Sequence, residues 1–474
     1  MSNSPMRPNL SVVQAAKKSL LAMAVLSGIT LSNAAMAADD SSLTWNGITF
    51  YGVYDISVTH QTKSAPVSSD WVNGTNWMIS KGSYKAITAV APGALSNSLL
   101  GLRGKEGIND DLSFVFDAQI GFNPQSGKLN DGPLSLINNN GLPITSTHAA
   151  SDSPRAGQLF NGALYGGLSS KDWGTLTFGR NASWNNTVIS TYDPIGGSKG
   201  FSLFGFSGSL SGGGDTEDGF LDGSLKYAYK NDWFHAGLLY QPNGVDGSPG
   251  IAAQGEVGIN YEGFAADAAY AKKNSALALS SASAAQIAAH GQNVLAATVS
   301  DNKDWVIGAS WTGGPLKISG GYTRIQIGNT GLSTKTPPAG FDGLGGYFVI
   351  PVGTNNPKTK VLDVDWIGLK YALSSALSVS GAWYHESQNT FNPTACATSK
   401  TSATTAFASS CAGDENVFSV LLDYKLSKRA DVYAGAAYSK VEDGLASGFF
   451  NIVASNKSPA ASNFGPTVGF RFQF

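Results

Sequence analysis

The chain has 474 residues, and its 31 Lys and Arg against 33 Asp and Glu give a net charge of −2. This balance argues against a nucleic-acid partner, because proteins that bind nucleic acids carry an excess of basic residues on one face. With 57 Gly and 11% aromatic residues, the composition favours many short strands and turns rather than helices.

The chain begins with the pattern of a secretory signal peptide. Three cations precede an apolar run over residues 20–31, and the small residues of 35–37 supply a cleavage site. The run is shorter than the roughly 20 residues that a membrane-spanning helix needs. We therefore expect residues 1–37 to be a cleaved signal peptide and residues 38–474 to form one mature domain.

From there on, apolar and polar residues alternate in segments of about ten residues, a period typical of membrane-spanning strands. In the first segment, Ile48, Phe50 and Tyr54 share one face, while Asp55 takes the other. The last ten residues follow the same pattern and end on Phe474. In a soluble protein this last strand would be an apolar edge with nothing to cover it.

Sixteen such segments follow one another along the chain. In chain order they are 45–59, 97–105, 111–122, 158–169, 173–181, 219–230, 233–241, 254–262, 263–273, 303–312, 315–327, 360–371, 376–388, 415–426, 431–441 and 465–474. An even number of strands places both ends of the chain on the same side of a closed barrel.

The connections between the segments alternate strictly between short and long. Tight polar turns such as 170–172 take turns with long connections such as 123–157 and 182–218. Outer-membrane barrels have short periplasmic turns and long external loops, with apolar side chains toward lipid and polar ones toward a wet lumen. The sequence therefore predicts an all-β protein, a 16-stranded antiparallel transmembrane β-barrel in the outer membrane.

The two cysteines, Cys396 and Cys411, lie close together in a polar segment rich in Ser, Thr and Ala. In an exported protein such a pair favours one disulfide that closes a surface loop. The five histidines are scattered, and none has a ligand-like spacing to the cysteines. We expect no metal site and no cofactor.

Four motifs resemble those of the trimeric Gram-negative general porins. Residues 52–55 (GVYD) resemble the YGxxD of the first strand of that family, and residues 98–104 (SLLGLRG) its SRLGFKG. Residues 159–181 resemble the block LFNRQAYVGL…GTVTLGR, and residues 423–433 (DYKLSKRADVY) match the penultimate turn. These motifs occur in the family's order and span the mature chain.

The resemblance implies a water-filled channel for passive diffusion of small hydrophilic solutes and ions, with no enzymatic activity. It implies a homotrimer in which the second loop, 123–157, latches onto a neighbour, and a third loop, 182–218, that folds into the barrel. Contacts with outer-membrane lipid and lipopolysaccharide follow from that location. Phe474 is expected to be part of the signal that the barrel-insertion machinery reads.

In a pore, rings of charge and constrictions decide what passes. We expect these charges to come from the third loop and from inward-facing wall positions, where the resemblance supports Arg180 in particular. The candidates are Asp193, Asp215, Glu217 and Asp218 on the loop, and Arg180, Arg103, Lys226, Asp55 and Asp117 on the wall. Each could instead be an ordinary solvated charge without a role in selectivity.

Two departures from the family pattern bear on selectivity. Leu99 and Gly162 stand where the family has arginines, so two expected wall cations are missing. We therefore predict a net negative constriction and a weak preference for cations or neutral solutes.

Two other functions fit the same barrel. In a substrate-specific channel for sugars or for aromatic or carboxylic acids, Trp71, Trp77, Trp184 and Tyr192 would line the path of the solute. Their other interpretation is loop packing or an interfacial aromatic girdle. In a structural or adhesive barrel, the long loops would be attachment surfaces.

Overall fold

The computed structural model describes most of the chain beyond the expected signal peptide. The described residues are 43–63, 85–129, 132–142, 159–207, 219–242, 250–330, 341–344, 346–392, 410–446, 453–454 and 459–474. The expected signal peptide and its cleavage site lie outside them, so that cleavage stays a prediction.

Sixteen antiparallel strands form a closed barrel, which confirms the predicted fold class. They are β1 (Ile48–Gln61), β2 (Leu99–Gly107), β3 (Ser113–Gly121), β4 (Leu164–Ser170), β5 (Gly174–Ala182), β6 (Phe220–Lys230), β7 (Phe234–Gln241), β8 (Ala252–Tyr261), β9 (Phe264–Ser281), β10 (Val294–Gly313), β11 (Leu316–Asn329), β12 (Lys360–Ala372), β13 (Leu377–Gln388), β14 (Gly413–Lys425), β15 (Ala430–Glu442) and β16 (Pro459–Gln473). Each strand pairs with its neighbours in this order. β16 returns to β1, with Phe470 opposite Ile56, so the barrel has no open edge.

The two faces of the strands differ as the alternation predicted. Apolar side chains such as Leu238 (64% exposed), Phe418 (53%) and Ile307 (50%) cover the outside. In β16, Phe470 and Phe472 point outward, while Arg471 points inward and pairs with Asp431 on β15. The exposed apolar belt is the surface that a bilayer covers.

Short helices and additional strands lie in the connections. The helices are α1 (Gly132–Ile137), α2 (Trp184–Tyr192), α3 (Leu203–Ser207) and α4 (Ala284–His290), with a 3-10 turn at Asp443–Ala446; the additional strands are Thr44–Trp45, Ile87–Pro92, Phe341–Leu344, Tyr347–Gly353 and Val453–Ala454. None of the helices in the described part of the chain is long and apolar enough to cross a membrane.

The connection predicted at 274–302 is mostly sheet, which corrects the sequence-based boundaries. β9 continues to Ser281 and β10 begins at Val294. The register shifts between Lys273 and Ala276, and Ser275 has a positive φ of 52°. This bulge breaks the period-2 pattern, so the alternation in the sequence ends there although the strand continues.

The described part of the second long connection docks on its own chain. Residues Leu136 and Ile137 of α1 pack against Leu295 and Val349, on the extension of β9 and β10 and its flanking strand. The Asn140 amide donates to the Val294 carbonyl (2.7 Å) and accepts from the Ala282 N–H (2.7 Å). The described part of this segment therefore binds the β9–β10 side of its own barrel. The latch of this loop onto a neighbouring subunit, which the resemblance implied, stays a prediction.

Cys411 is buried, and Cys396 lies outside the described residues. The disulfide between them stays a prediction.

Candidate functional site

The third long connection folds into the barrel, as the resemblance implied. α2 begins at the N-cap Ser183, whose hydroxyl accepts the N–H of Asn186, and the backbone leaves the helix at Asp193. The chain then continues through α3, and the loop side chains are buried inside the barrel. One cluster joins them to the wall: Trp184, Val188, Ile189, Tyr192, Ile195, Phe201, Leu203 and Phe204 from the loop, with Leu239, Val306, Val364, Trp366, Tyr384, Val417, Leu421 and Tyr433 from β7 to β15.

This apolar cluster explains why the loop lies inside. The inward positions of a water-filled barrel are ordinarily polar, yet Val306, Trp366, Tyr384 and Leu421 are large apolar or aromatic residues at such positions. Burying them against the loop removes their apolar surface from water, which is favourable at roughly 25 cal/mol per Å². The docking of the loop is therefore driven by the hydrophobic effect.

Inward-facing glycines leave room for the bulky loop side chains. A Cβ atom at these positions would lie between 2.1 and 2.8 Å from the nearest atom of the loop. The pairs are Gly237 with Trp184, Gly308 with Tyr192, Gly368 with Pro194, and Gly435 with Phe201. Because the four glycines are on four different strands, the wall accommodates loop side chains at four separate places.

Asp193 fastens the loop to the wall. Its carboxylate accepts hydrogen bonds from the Tyr384 hydroxyl on β13 (2.9 Å), from the Ile195 N–H (2.7 Å) and from the Ser202 hydroxyl. Burial raises the pKa of the Asp193 carboxyl, and the Ser202 hydrogen bond opposes this. Asp193 is only 4% exposed, so its contacts support a role as an anchor of the loop, and its role in permeation stays a prediction.

Two further hydrogen bonds hold the backbone of the loop. The Trp366 Nε1–H donates to the Tyr192 carbonyl (3.1 Å) and the Ser419 hydroxyl donates to the Phe201 carbonyl (2.5 Å). Both donors are on inward positions of the wall. These two bonds hold the loop backbone at the end of α2 and just before the start of α3.

Arg180, the best-supported wall cation, is buried and engaged in fixed contacts. Its guanidinium pairs with Asp222 (2.6 Å) and donates to the carbonyls of Asn161 (2.9 Å) and Gly162 (2.8 Å). The register shifts between Gly179 and Asn181 at this point. Its contacts support a role in tying the ends of β4, β5 and β6 together, and its role in permeation stays a prediction.

Lys226 faces inward, as the alternation predicted, and lies under the start of α2. Its Nζ donates to the Ala182 carbonyl (2.8 Å) and lies 3.8 Å from the centre of the Trp184 ring. The ammonium therefore supports the entry of the third loop into the barrel.

Asp55 also has a structural environment. Its carboxylate accepts from the Tyr433 hydroxyl (2.6 Å) and from the N–H groups of Leu95 (3.2 Å) and Ser96 (2.7 Å). It is 0% exposed. Its hydrogen bonds hold the segment before β2 against β1 and β15.

Arg103 and Asp117 lie side by side on the wall that the loop leaves uncovered. They are register partners on β2 and β3. The Tyr51 hydroxyl donates to Asp117 (2.5 Å), and the Arg103 guanidinium carbon is 5.1 Å from the Tyr51 ring centre. Among the predicted wall charges in the described residues, Arg103 is the exposed one.

Several predicted residues fall outside the described part of the chain. These are Asp215, Glu217 and Asp218 of the third loop, and Trp71 and Trp77 of the first long connection. Trp184 and Tyr192 are buried in the cluster that docks the loop, which fits the packing interpretation of these aromatics.

Sequence reasoning missed a basic cluster below the loop. Lys317, Lys370 and Arg471 line a cavity of about 330 Å³ together with Asp423 and the loop residues Ser190 and Thr191. The three cations come from β11, β12 and β16, near the short turns. Their inward positions were readable from the alternation, but their convergence depends on the closure of the barrel.

Comparisons with known proteins agree with this architecture. A family model described as Gram-negative porin matches residues 21–444. An outer membrane porin protein of Bordetella pertussis is 24% identical over 435 residues, which cover 90% of this chain and 94% of that protein. The anion-selective porin from Comamonas acidovorans has a TM-score of 0.55 at 16% identity, covering 90% of this chain and 99% of that one. OmpT, an outer membrane protein of Vibrio cholerae, has a TM-score of 0.52 at 13% identity, covering 92% and 100%.

Proposed function

Because this chain belongs to the family of Gram-negative porins and is an outer-membrane β-barrel channel, we propose that it is a general diffusion pore. Small hydrophilic solutes and ions would pass between the third loop and the uncovered wall of β1 to β5. The observation that carries this proposal is the third loop, which is fixed against β7 to β15 and narrows the lumen from one side. Family and fold point to a channel rather than an enzyme.

The lining near the loop favours diffusion over a specific site. On the loop side, the cavity is lined by the small uncharged residues Ser190, Thr191 and Gly196, with Asp193, Pro194 and Ile195 between them. The loop aromatics Trp184 and Tyr192 are buried against the wall, so they do not support a stacking path for sugars or aromatic acids.

A liposome-swelling assay over a series of sugars tests the proposal. We expect the rate to fall smoothly with solute size and to show no saturation. A single sugar that permeates out of order, or a rate that saturates, would favour the substrate-specific channel. Absence of any swelling from correctly folded protein would favour a structural or adhesive barrel.

The expected cation preference followed from the two missing wall cations at Leu99 and Gly162, which leave the carboxylates of the third loop in excess. Asp193 is buried by the wall, and the other three acidic residues lie outside the described part. Lys317, Lys370 and Arg471 meanwhile contribute positive charge on the periplasmic side of the loop, which Asp423 and Asp431 beside Arg471 offset in part. We propose that the acidic residues of 215–218 and the basic residues Lys317, Lys370 and Arg471 offset each other, so that the pore is only weakly selective. Any cation preference would then be set by residues 215–218.

Reversing the basic cluster should change ion selectivity. In planar bilayers under a salt gradient, Lys317→Glu with Lys370→Glu is expected to move the reversal potential toward cation selectivity, because both side chains line the path. Lys303→Glu is the matched control, since Lys303 lies on the outer face of β10, and it should leave the reversal potential unchanged. An equal shift in the control would contradict the assignment of the path.

We also propose a homotrimer, which the resemblance implies; one of the similar solved structures is a trimer form of OmpT from Vibrio cholerae. Closure of single channels in three equal steps in the same bilayers would support it. Export with cleavage after Ala37 is a further proposal, and the intact mass of the mature protein measures it.

A further inference from the structure

Three side chains that are far apart in sequence meet inside the barrel below α2. His235 on β7, Glu256 on β8 and Asp267 on β9 all take inward positions on adjacent strands. The His235 Nε2 lies 3.1 Å from Glu256 Oε1 and 3.0 Å from Asp267 Oδ1. Among the described residues, these three form the group of His, Cys, Asp or Glu side chains whose ligand atoms lie close enough together to hold a metal ion.

The two carboxylates are buried with few partners: His235 Nε2 lies near both, and the Tyr192 hydroxyl donates to Asp267. Glu256 is 5% exposed and Asp267 is 9% exposed. Within the described residues, neither oxygen of Glu256 accepts a hydrogen bond, and neither does Oδ1 of Asp267. Burying charged groups in this way is costly unless a cation or hydrogen-bond donors compensate them.

The neighbouring cation does not compensate both charges. Lys226 interacts with Glu256 through space, but its Nζ donates to the Ala182 carbonyl and lies over the Trp184 ring. With His235 neutral, the form that binds a metal ion, two carboxylates against one ammonium leave one negative charge in excess at the cluster.

A glycine keeps the space between the ligand atoms open. Gly258 lies opposite both His235 and Asp267 in the sheet. A Cβ at this position would lie 2.1 Å from Asp267 Oδ1 and 2.2 Å from His235 Nε2. The backbone therefore provides a pocket that any other residue would fill.

We propose that His235, Glu256 and Asp267 bind a divalent transition-metal ion, with Zn²⁺ as the fitting example. One imidazole nitrogen and two carboxylate oxygens suit this class of ion, and a water would complete a tetrahedral set. Bonds of about 2.0–2.1 Å in a tetrahedron place neighbouring ligand atoms about 3.3 Å apart. The two observed separations are close to that value, and the ligand atoms of all three residues lie within 4.8 Å of one another.

The surroundings orient two of the ligands. The Asn260 Nδ2 lies 3.4 Å from His235 Nδ1. Rotation of this amide by 180°, which exchanges its nitrogen and oxygen, would let the oxygen accept the Nδ1 proton and leave Nε2 for the metal. The Tyr192 hydroxyl donates to Asp267. Such outer hydrogen bonds commonly accompany metal ligands. Because Tyr192 is in α2, the ion would also fasten the third loop to β7, β8 and β9.

Titration of the purified, metal-stripped protein with Zn²⁺ in an isothermal calorimeter tests the site. We expect one ion per chain, a higher melting temperature with Zn²⁺, and no comparable response to Mg²⁺, which prefers oxygen ligands. His235→Ala should abolish binding. Gly258→Ala should weaken it by about tenfold or more although all three ligands remain.

His385→Ala is the matched control, because His385 forms a similar pair with Asp414 (3.6 Å) on the outer face. It should bind Zn²⁺ like the wild type. If Gly258→Ala does not fold, Glu256→Gln, which has the same shape, takes its place. Failure of the wild-type protein to bind Zn²⁺ would overturn the proposal, and so would unchanged binding by folded His235→Ala protein.

Discussion

Asp193→Ala is expected to release the third loop from the wall and to widen the pore. The substitution removes a buried carboxylate that accepts from Tyr384, Ser202 and Ile195. Hydrogen bonds to charged groups contribute about 1.5–3 kcal/mol each, so a loss on the order of 3 kcal/mol or more in the docking of the loop is expected. Single-channel conductance should rise, larger sugars should enter liposomes, and the melting temperature should fall.

Thr191→Ala is the control for this prediction, because Thr191 is on the same loop but exposed to the lumen. It should leave both conductance and stability close to the wild type. An Asp193→Ala channel with wild-type conductance and size cut-off would show that the carboxylate does not hold the loop.

The same anchor predicts a pH dependence. Since the pKa of Asp193 is raised in the folded protein, protonation of its carboxyl adds to stability, and this added contribution is fully present below the ordinary pKa of about 3.9. This contribution is lost as the pH rises through the raised pKa. Asp193→Asn, which is never charged, should remove this part of the pH dependence of the melting temperature.

Phe474→Ala is expected to reduce assembly in the outer membrane far more than it reduces the stability of the assembled barrel. The backbone of Phe474 exchanges two hydrogen bonds with Gly52 (2.9 and 3.1 Å), and the substitution keeps both. Its ring lies 5.4 Å from that of Phe50 and 5.7 Å from that of Phe472. Aromatic pairs of this kind contribute about 0.5–1.5 kcal/mol.

The two effects are measured separately. Refolding of purified protein into detergent should give a melting temperature only a few degrees lower, while the amount of barrel recovered from cell outer membranes should fall severalfold. Phe472→Ala is the control, since it removes a ring from the same strand and the same face. If refolding fails to the same extent as assembly in cells, the ring acts in closing the barrel and not as an insertion signal.

The alternation along the chain was sufficient to predict the barrel. A side chain in a strand points to one face or the other, so local sequence determines which residues meet lipid, and the sixteen predicted segments overlap the sixteen strands. The prediction was wrong where the period itself is interrupted, as at Ser275, and where a connection forms sheet of its own. Neither feature has a strong local signal.

The candidate site was less predictable. Asp55, Asp193 and Lys226 were recognised as charges near the lumen, but their partners Tyr433, Tyr384 and Ala182 come from other parts of the chain. A signal for the docked loop was present, since Val306, Trp366, Tyr384 and Leu421 are apolar at positions that a wet lumen would make polar. Apolar residues at those positions indicate that another part of the chain covers this side of the barrel wall.

By itself, the sequence determined the class of protein, the number of strands, the closure of the last strand on the first and the family, because these depend on side-chain alternation and on motifs within single segments. Only the tertiary structure decided which of the charges are exposed and which are buried in hydrogen bonds and ion pairs. It also brought His235, Glu256 and Asp267 together. The reason is that neighbouring strands and an inward-folded loop create contacts between residues whose spacing along the chain carries no information about their distance.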